Sequence, residues 1–277
     1  MAATVRTTAE PDAPVRYAAV ATLCAGALPV LALPQLEWLG WSILGVVAAF
    51  AAVWSRSRFG RHLLLLVGAI ALLGLVPINT DISYGHMLTM GSVLVAVVAG
   101  PYLISTHAFR EQVITFPFRM GRRWSPREIG YVVVAGIGSY LLLPFYLADT
   151  GSYLNWRAEL DPSHIIRLFI GTNALGIWDE IFFVGVCLAL FREHLPFPLA
   201  NVAQAALWTA FLYELGFRGW GPLVIFPFAL SQGYIFKRSK SLLYIITVHL
   251  TIDFMLFLVL VHLHNPEYLR IFVTSPF

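Results

Sequence analysis

Asp179 and Glu180 stand side by side within HIIRLFIGTNALGIWDEIFFVGVCLALFR, residues 164–191, an apolar stretch long enough to cross a bilayer. A later apolar stretch, SLLYIITVHLTIDFMLFLVLVHL from Ser241, carries His249 and Asp253. Ionisable groups are costly at membrane depth. Those that occur there face a bundle interior and mark an ion path, a metal site or a catalytic site. His249 and Asp253 are spaced i, i+4, which puts both on one helical face about 6 Å apart. Imidazole and carboxylate together suit zinc, manganese or iron. A hydrolytic metal site also needs a base beside an open coordination position, and Asp179 or Glu180 would supply it. Two adjacent carboxylates at that depth need a cation, a metal or a proton. The plainer alternative is a His249–Asp253 hydrogen bond that only holds helices together.

Depth supports a shared site. At about 1.5 Å per helical residue, His249 and Asp253 lie roughly 14 and 20 Å in from Lys240. Glu180 lies roughly 18 Å in from Arg192 on the same scale. Glu214 is the other intramembrane acid of interest, but its depth is about 24–27 Å. That favours a residue near the far interface, paired with Arg218 at i+4, over a ligand.

The elements that must position these groups are membrane helices. The chain is 58% hydrophobic and 12% charged, where a soluble domain carries about 25% charged residues, and its mean hydropathy is +0.75. This predicts an all-α polytopic membrane protein of nine spans, near 17–34, 38–54, 62–79, 85–105, 129–148, 164–191, 196–215, 219–236 and 241–263. The short alternating strands of an outer-membrane barrel are missing from the pattern. Of the 18 Lys and Arg, only Arg157, Arg167, Arg218 and Arg270 fall on one side of that layout. The rule that basic loops stay inside then predicts a cytoplasmic N-terminus and an outer C-terminus. Residues 1–15 read as a disordered cytoplasmic tail, 16–128 as scaffold helices, 129–263 as the functional core and 264–277 as a short tail. Polar residues at depth gather in the core.

The net charge of +3 reflects topology and gives no footprint for nucleic acid. The RMGRRWSPR loop after span four suits anionic headgroups of the lipid bilayer. Cys24 and Cys187 both fall inside spans, without a CxxC, so no disulfide framework is expected. Gly171, Gly176 and Gly185 lie within a helix and suit close packing.

W-D-E-I-F-F-V-G resembles the E-E-x-x-x-R signature of the CAAX prenyl protease and bacteriocin-processing (CPBP, or Abi) family of intramembrane metalloproteases. GYIFKRSKSLLYIITVHLTID is similar to that family's helix end, basic loop and H-x-x-x-N/D motif. The resemblance covers about residues 129–263. It implies a helical bundle with a membrane cavity and a divalent metal, zinc or manganese. By position it gives Asp179 the role of the acid that activates water, Glu180 that of the second acid, and His249 and Asp253 the metal or oxyanion. Three departures stand out. Asp179 is one methylene shorter than Glu. Val184 replaces Arg one turn after Glu180, so Glu180 needs another partner. The F-x-x-x-H motif has lost its His: in AQAALWTAFLYELG either Leu212 or Glu214 holds that position.

Three functions remain open on this reading. One is a metal-dependent intramembrane endopeptidase for lipidated, hydrophobic or leader peptides. Another is a non-proteolytic relative that binds membrane peptides or partner proteins. The third is a proton or cation transporter using the acids as a relay, although no inverted repeat is visible.

Overall fold

A computed structural model describes residues 10–119 and 121–275. Among them every regular element is a helix. Ten are α-helices: α1 (Ala13–Ala32), α2 (Glu37–Val53), α3 (Arg58–Gly74), α4 (Tyr84–Leu103), α5 (Pro126–Thr150), α6 (Pro162–Asp179), α7 (Leu188–Arg192), α8 (Phe197–Glu214), α9 (Pro222–Ser239) and α10 (Leu242–His264).

Local sequence sets many of the ends. Ser57, Ser83, Ser125, Asp161 and Ser241 each cap a helix through the side-chain oxygen. At α5, Ser125 and Glu128 complete a capping box, with Pro126 pre-set in the first turn. The Ser57 cap starts α3 four residues before the expected span, so Arg58 and Arg61 belong to its first turn.

Six helical segments are long and apolar enough to cross a membrane: Ala13–Ala32, Pro34–Val53, Tyr84–Ala108, Pro126–Thr150, Pro162–Arg192 and Leu242–His264. Many of their outward side chains are bare hydrocarbon, including Val46, Leu88, Val95, Val133, Val134 and Ile137. A helix facing water would place polar residues there, so this is an integral membrane protein. The remaining three long helices fall short of that measure for visible reasons. α3 has 17 residues and opens with Arg58, Arg61 and His62. α8 carries Asn201, Gln204 and Glu214, and α9 ends in Lys237 and Arg238.

The expected tail needs correcting. Residues 1–9 lie outside the described residues, but Glu10 accepts hydrogen bonds from the Arg58 and Phe59 backbone N–H groups at 2.8 and 3.2 Å. Helix α1 then begins at Ala13. These contacts occupy N–H groups that the first turn of α3 cannot satisfy internally.

The N-terminal helices pack in sequence, α1 on α2, α2 on α3 and α3 on α4, and α1 also packs on α8. The second half packs α10 against both α5 and α6, and α9 against α8. One local irregularity bears directly on the site. Between α6 and α7 the chain runs as a π-helix over Glu180–Cys187. A π-turn adds a residue per turn and is common at functional sites. Here it starts at the second acid of the pair.

Candidate functional site

The two neighbouring acids have different surroundings, as successive residues on a helix point about 100° apart. Asp179, the last residue of α6, lines a cavity of about 220 Å³ together with Gly176, His249 and Asp253. Glu180 is fully buried behind it. There its Oε1 accepts hydrogen bonds from Gln232 Nε2 on α9 at 2.5 Å and from His249 Nδ1 on α10 at 3.2 Å. Gln232 Nε2 also donates to the Ile245 carbonyl at 3.1 Å. Glu180 thus finds, on two other helices, the partners that Val184 cannot provide from its own.

The other edge of His249 faces the cavity acids. Its Nε2 lies 4.0 Å from Asp179 Oδ2 and 3.6 Å from Asp253 Oδ1. The ring is boxed by Trp208, with centroids 5.5 Å apart, and by Phe228 at 5.2 Å. Gly176 makes room for Asp253. A Cβ on Gly176 would come within 1.8 Å of Asp253 Oδ2, so any side chain there would expel the carboxylate. The close-packing role expected of this glycine is therefore specific to the site.

Four of the five site residues read from the sequence converge: Asp179, Glu180, His249 and Asp253. Glu214 does not join them. Its carboxylate lies 3.5 Å from Arg218 Nη2, one turn on, and lines a separate pocket with Val30, Pro34 and Glu37. Leu212, by contrast, lines the site cavity. Of the two middle-motif candidates, Leu212 is therefore the one on the cavity wall and Glu214 the one turned away from it. Gln232 was missed, although its amide at membrane depth was a signal. The α5 lining, including Ala135, Gly138 and Leu142, was also missed, because small apolar residues carry no chemical signature.

Several polar atoms here are buried without a hydrogen-bond partner: Asp179 Oδ1, Glu180 Oε2, Asp253 Oδ2 and Gln232 Oε1. Buried polar atoms are normally satisfied, so a concentration of exceptions marks a place built for something more than packing. One imidazole and three carboxylates are donors of the right kind for a divalent ion. Their spacing is somewhat wide. Among the described residues no three His, Cys, Asp or Glu groups are set to hold a metal ion as they stand.

Residues 161–255 match the family described as type II CAAX prenyl endopeptidase Rce1-like. This part of the chain is CAAX-protease-like. The match spans α6, the π-helix, α7, α8, α9 and most of α10, and so includes all four converging residues. No curated protein and no solved structure matches the chain. The matched segment lies in the part of the molecule where polar residues sit at depth.

A second histidine cluster lies near the Arg-rich end. His62 is fully buried; its Nδ1 is 2.9 Å from His194 Nε2 and its Nε2 is 2.6 Å from Glu111 Oε2. Glu111 Oε1 accepts from Arg61 at 2.5 Å, while Glu193 pairs with Arg58 at 2.8 Å. Burial pushes the Glu111 carboxyl up, but hydrogen bonds from His62 and Arg61 outweigh it and hold the group below the ordinary carboxylate range. Burial, aided by the His62 imidazole, pushes His194 down to about 3. Sequence reasoning gave these histidines no role, since they fall at the ends of predicted spans.

Proposed function

We propose that this CAAX-protease-like membrane protein is a divergent intramembrane endopeptidase acting on lipidated, hydrophobic or leader peptides. One observation carries the reading: Asp179, His249 and Asp253, from helices distant in sequence, meet on the wall of a cavity whose other lining side chains are mostly apolar. An apolar chain can enter such a cavity without losing hydration, while the polar bond to be cut lies against the acids.

The roles follow from position. Asp179 faces the cavity and is the group that would take a proton from an attacking water. His249 Nε2, between the two aspartates, would bind or protonate the carbonyl side of the substrate. Glu180 has no place on the cavity wall and holds His249 through Nδ1, as an orienting carboxylate does in a catalytic triad. A divalent ion, if bound, would be held by Asp179, His249 and Asp253 and would act as a Lewis acid on the carbonyl. Nine spans with a cytoplasmic N-terminus and an outer C-terminus belong to the same proposal, supported by the three further long helices α3, α8 and α9 beside the six apolar segments and by the placing of the basic residues.

The test is cleavage in proteoliposomes of two fluorescence-quenched peptides, one prenylated and one plainly apolar, followed by mass spectrometry. The proposal expects cleavage by the wild type and at least a 100-fold loss in Asp179→Asn and His249→Ala. Leu212 in place of histidine favours a second reading, a peptide-binding protein without turnover. Retention of either peptide with no cleavage would favour that reading.

A further inference from the structure

We propose that Gln232 is a positioning residue for His249, acting through Glu180 in the role that an intrahelical arginine would otherwise fill. The inference rests on the site reading above. Glu180 Oε1 is the hinge of the arrangement, because it accepts from both Gln232 Nε2 and His249 Nδ1. Gln232 is fully buried, and its Nε2 has two acceptors, Glu180 Oε1 and the Ile245 carbonyl. That pair of acceptors fixes the amide with its nitrogen toward Glu180. The Ile245 carbonyl belongs to α10, one turn before His249. The amide therefore ties the acid on the π-helix to the same helix that carries the imidazole.

The consequence is directional. With Nδ1 held on Glu180, His249 can turn only its Nε2 edge toward Asp179 and Asp253. Without the Gln232 donor, Glu180 Oε1 would keep a single, longer hydrogen bond in a fully buried place, and the carboxylate would be free to rotate. Val184 supplies no replacement, because its side chain is apolar and buried. An Arg at position 184 would serve Glu180 from within one helix. Gln232 serves it from α9, so the orientation of the imidazole depends on how α9 packs.

A neighbouring residue provides the control. Gln204 is equally buried, and its Nε2 likewise donates to two acceptors, Asn201 Oδ1 at 2.9 Å and the Ala229 carbonyl at 3.0 Å. None of these bonds reaches Glu180 or His249. Gln204→Leu therefore removes a like pair of bonds, one of them also to α9, and leaves the Gln232 donor on Glu180 in place.

The experiment compares wild type, Gln232→Leu and Gln204→Leu as full-length protein in detergent. The first readout is the His249 Nδ1–H resonance in ¹⁵N-histidine-labelled protein, assigned by its loss in His249→Ala. The proposal expects that resonance in the wild type and in Gln204→Leu, and expects it lost or shifted in Gln232→Leu. An unshifted resonance in Gln232→Leu would overturn it, as would an equal shift in Gln204→Leu. The second readout is Mn²⁺ affinity, expected to fall about 10- to 100-fold in Gln232→Leu and to hold in Gln204→Leu. A wild type that binds no Mn²⁺ would count against the metal in the proposed function, while the resonance would still decide the role of Gln232. Should Gln232→Leu fail to fold, Gln232→Glu provides the resonance test: a carboxylate facing Glu180 should move the signal, and an unmoved signal would overturn the proposal.

Discussion

Two histidine clusters in this protein are built from the same parts and finished differently. Around His62 both ring nitrogens are engaged, and both Glu111 oxygens accept hydrogen bonds. Around His249 three carboxylates each keep an oxygen without a partner. A fully satisfied buried network rigidifies a fold. An unfinished one is tolerated only where a water, an ion or a substrate group completes it. Burial alone does not separate the two, since both histidines are buried. The difference lies in how many lone pairs and protons are left over: the Arg61 Nε–H beside His62, against an oxygen on each of three carboxylates around His249. On that criterion the His62 cluster is a fastening between α3, the 109–118 segment and the turn before α8. The His249 cluster is the one we propose as the reactive site.

The comparison can be broken by removing each histidine in turn. His62→Ala strands Glu111 and His194 in a buried place, and should cost about 3 kcal/mol of stability. A thermal melt in detergent should therefore fall by several degrees, with the His249 site still able to bind its ligand. A melt unchanged from wild type would show that the His62 cluster is not a fastening. A smaller effect is expected at Gly176→Ala, where the added methyl collides with Asp253. Overpacking of this kind costs about 1–3 kcal/mol, and here it should also disable the site. Wild-type ligand affinity in this variant would mean that Asp253 has no part in binding.

Acidity sharpens the contrast at the Arg-rich end. His194 is neutral in the fold, held down to about 3, whereas its ordinary value is 6.5. The unfolded chain therefore takes up a proton that the folded chain refuses, and stability falls as pH drops below 6.5 toward 3. Glu111, with its folded value depressed, works in the same direction at the lower end of that window. The charged groups acting on His194 besides His62 are Arg16, Arg58 and Glu111. Melting temperature should decline from pH 7 to pH 5, and the decline should be shallower in His194→Gln. An equal slope in the two proteins would remove His194 from the effect. The smallest change belongs to Arg122→Ala, which breaks a solvent-exposed pair with Glu128. It should leave stability nearly unchanged, because Ser125 and Glu128 still cap α5. A larger loss would mean that the 119–125 loop depends on that pair.

The site was legible where its residues announced themselves by cost. Asp179, Glu180, His249 and Asp253 are expensive at depth, and helical rise alone put three of them at one level. The Glu214–Arg218 pair followed from i, i+4 spacing. What could not be read depends on tertiary facing. Gln232 meets Glu180 across 52 residues, and His62 meets His194 across 132. No local period encodes either encounter. The π-helix was likewise hidden, because EIFFVGVC is as apolar as any α-helical span. It begins at Glu180, behind the imidazole, just after Asp179 on the cavity. The middle-motif register needed the structure for the same reason: only packing shows that Leu212 faces the cavity and Glu214 faces α1 and α2.

The most direct test is equilibrium binding of Mn²⁺ and Zn²⁺ to purified protein in detergent, read by elemental analysis after desalting. Wild type, Asp179→Asn, His249→Ala and His62→Gln would be compared. The account predicts about one equivalent of metal in the wild type and in His62→Gln, and none in the other two. No metal in the wild type, or equal metal in all four proteins, would contradict the claim that the unfinished cluster is the reactive one.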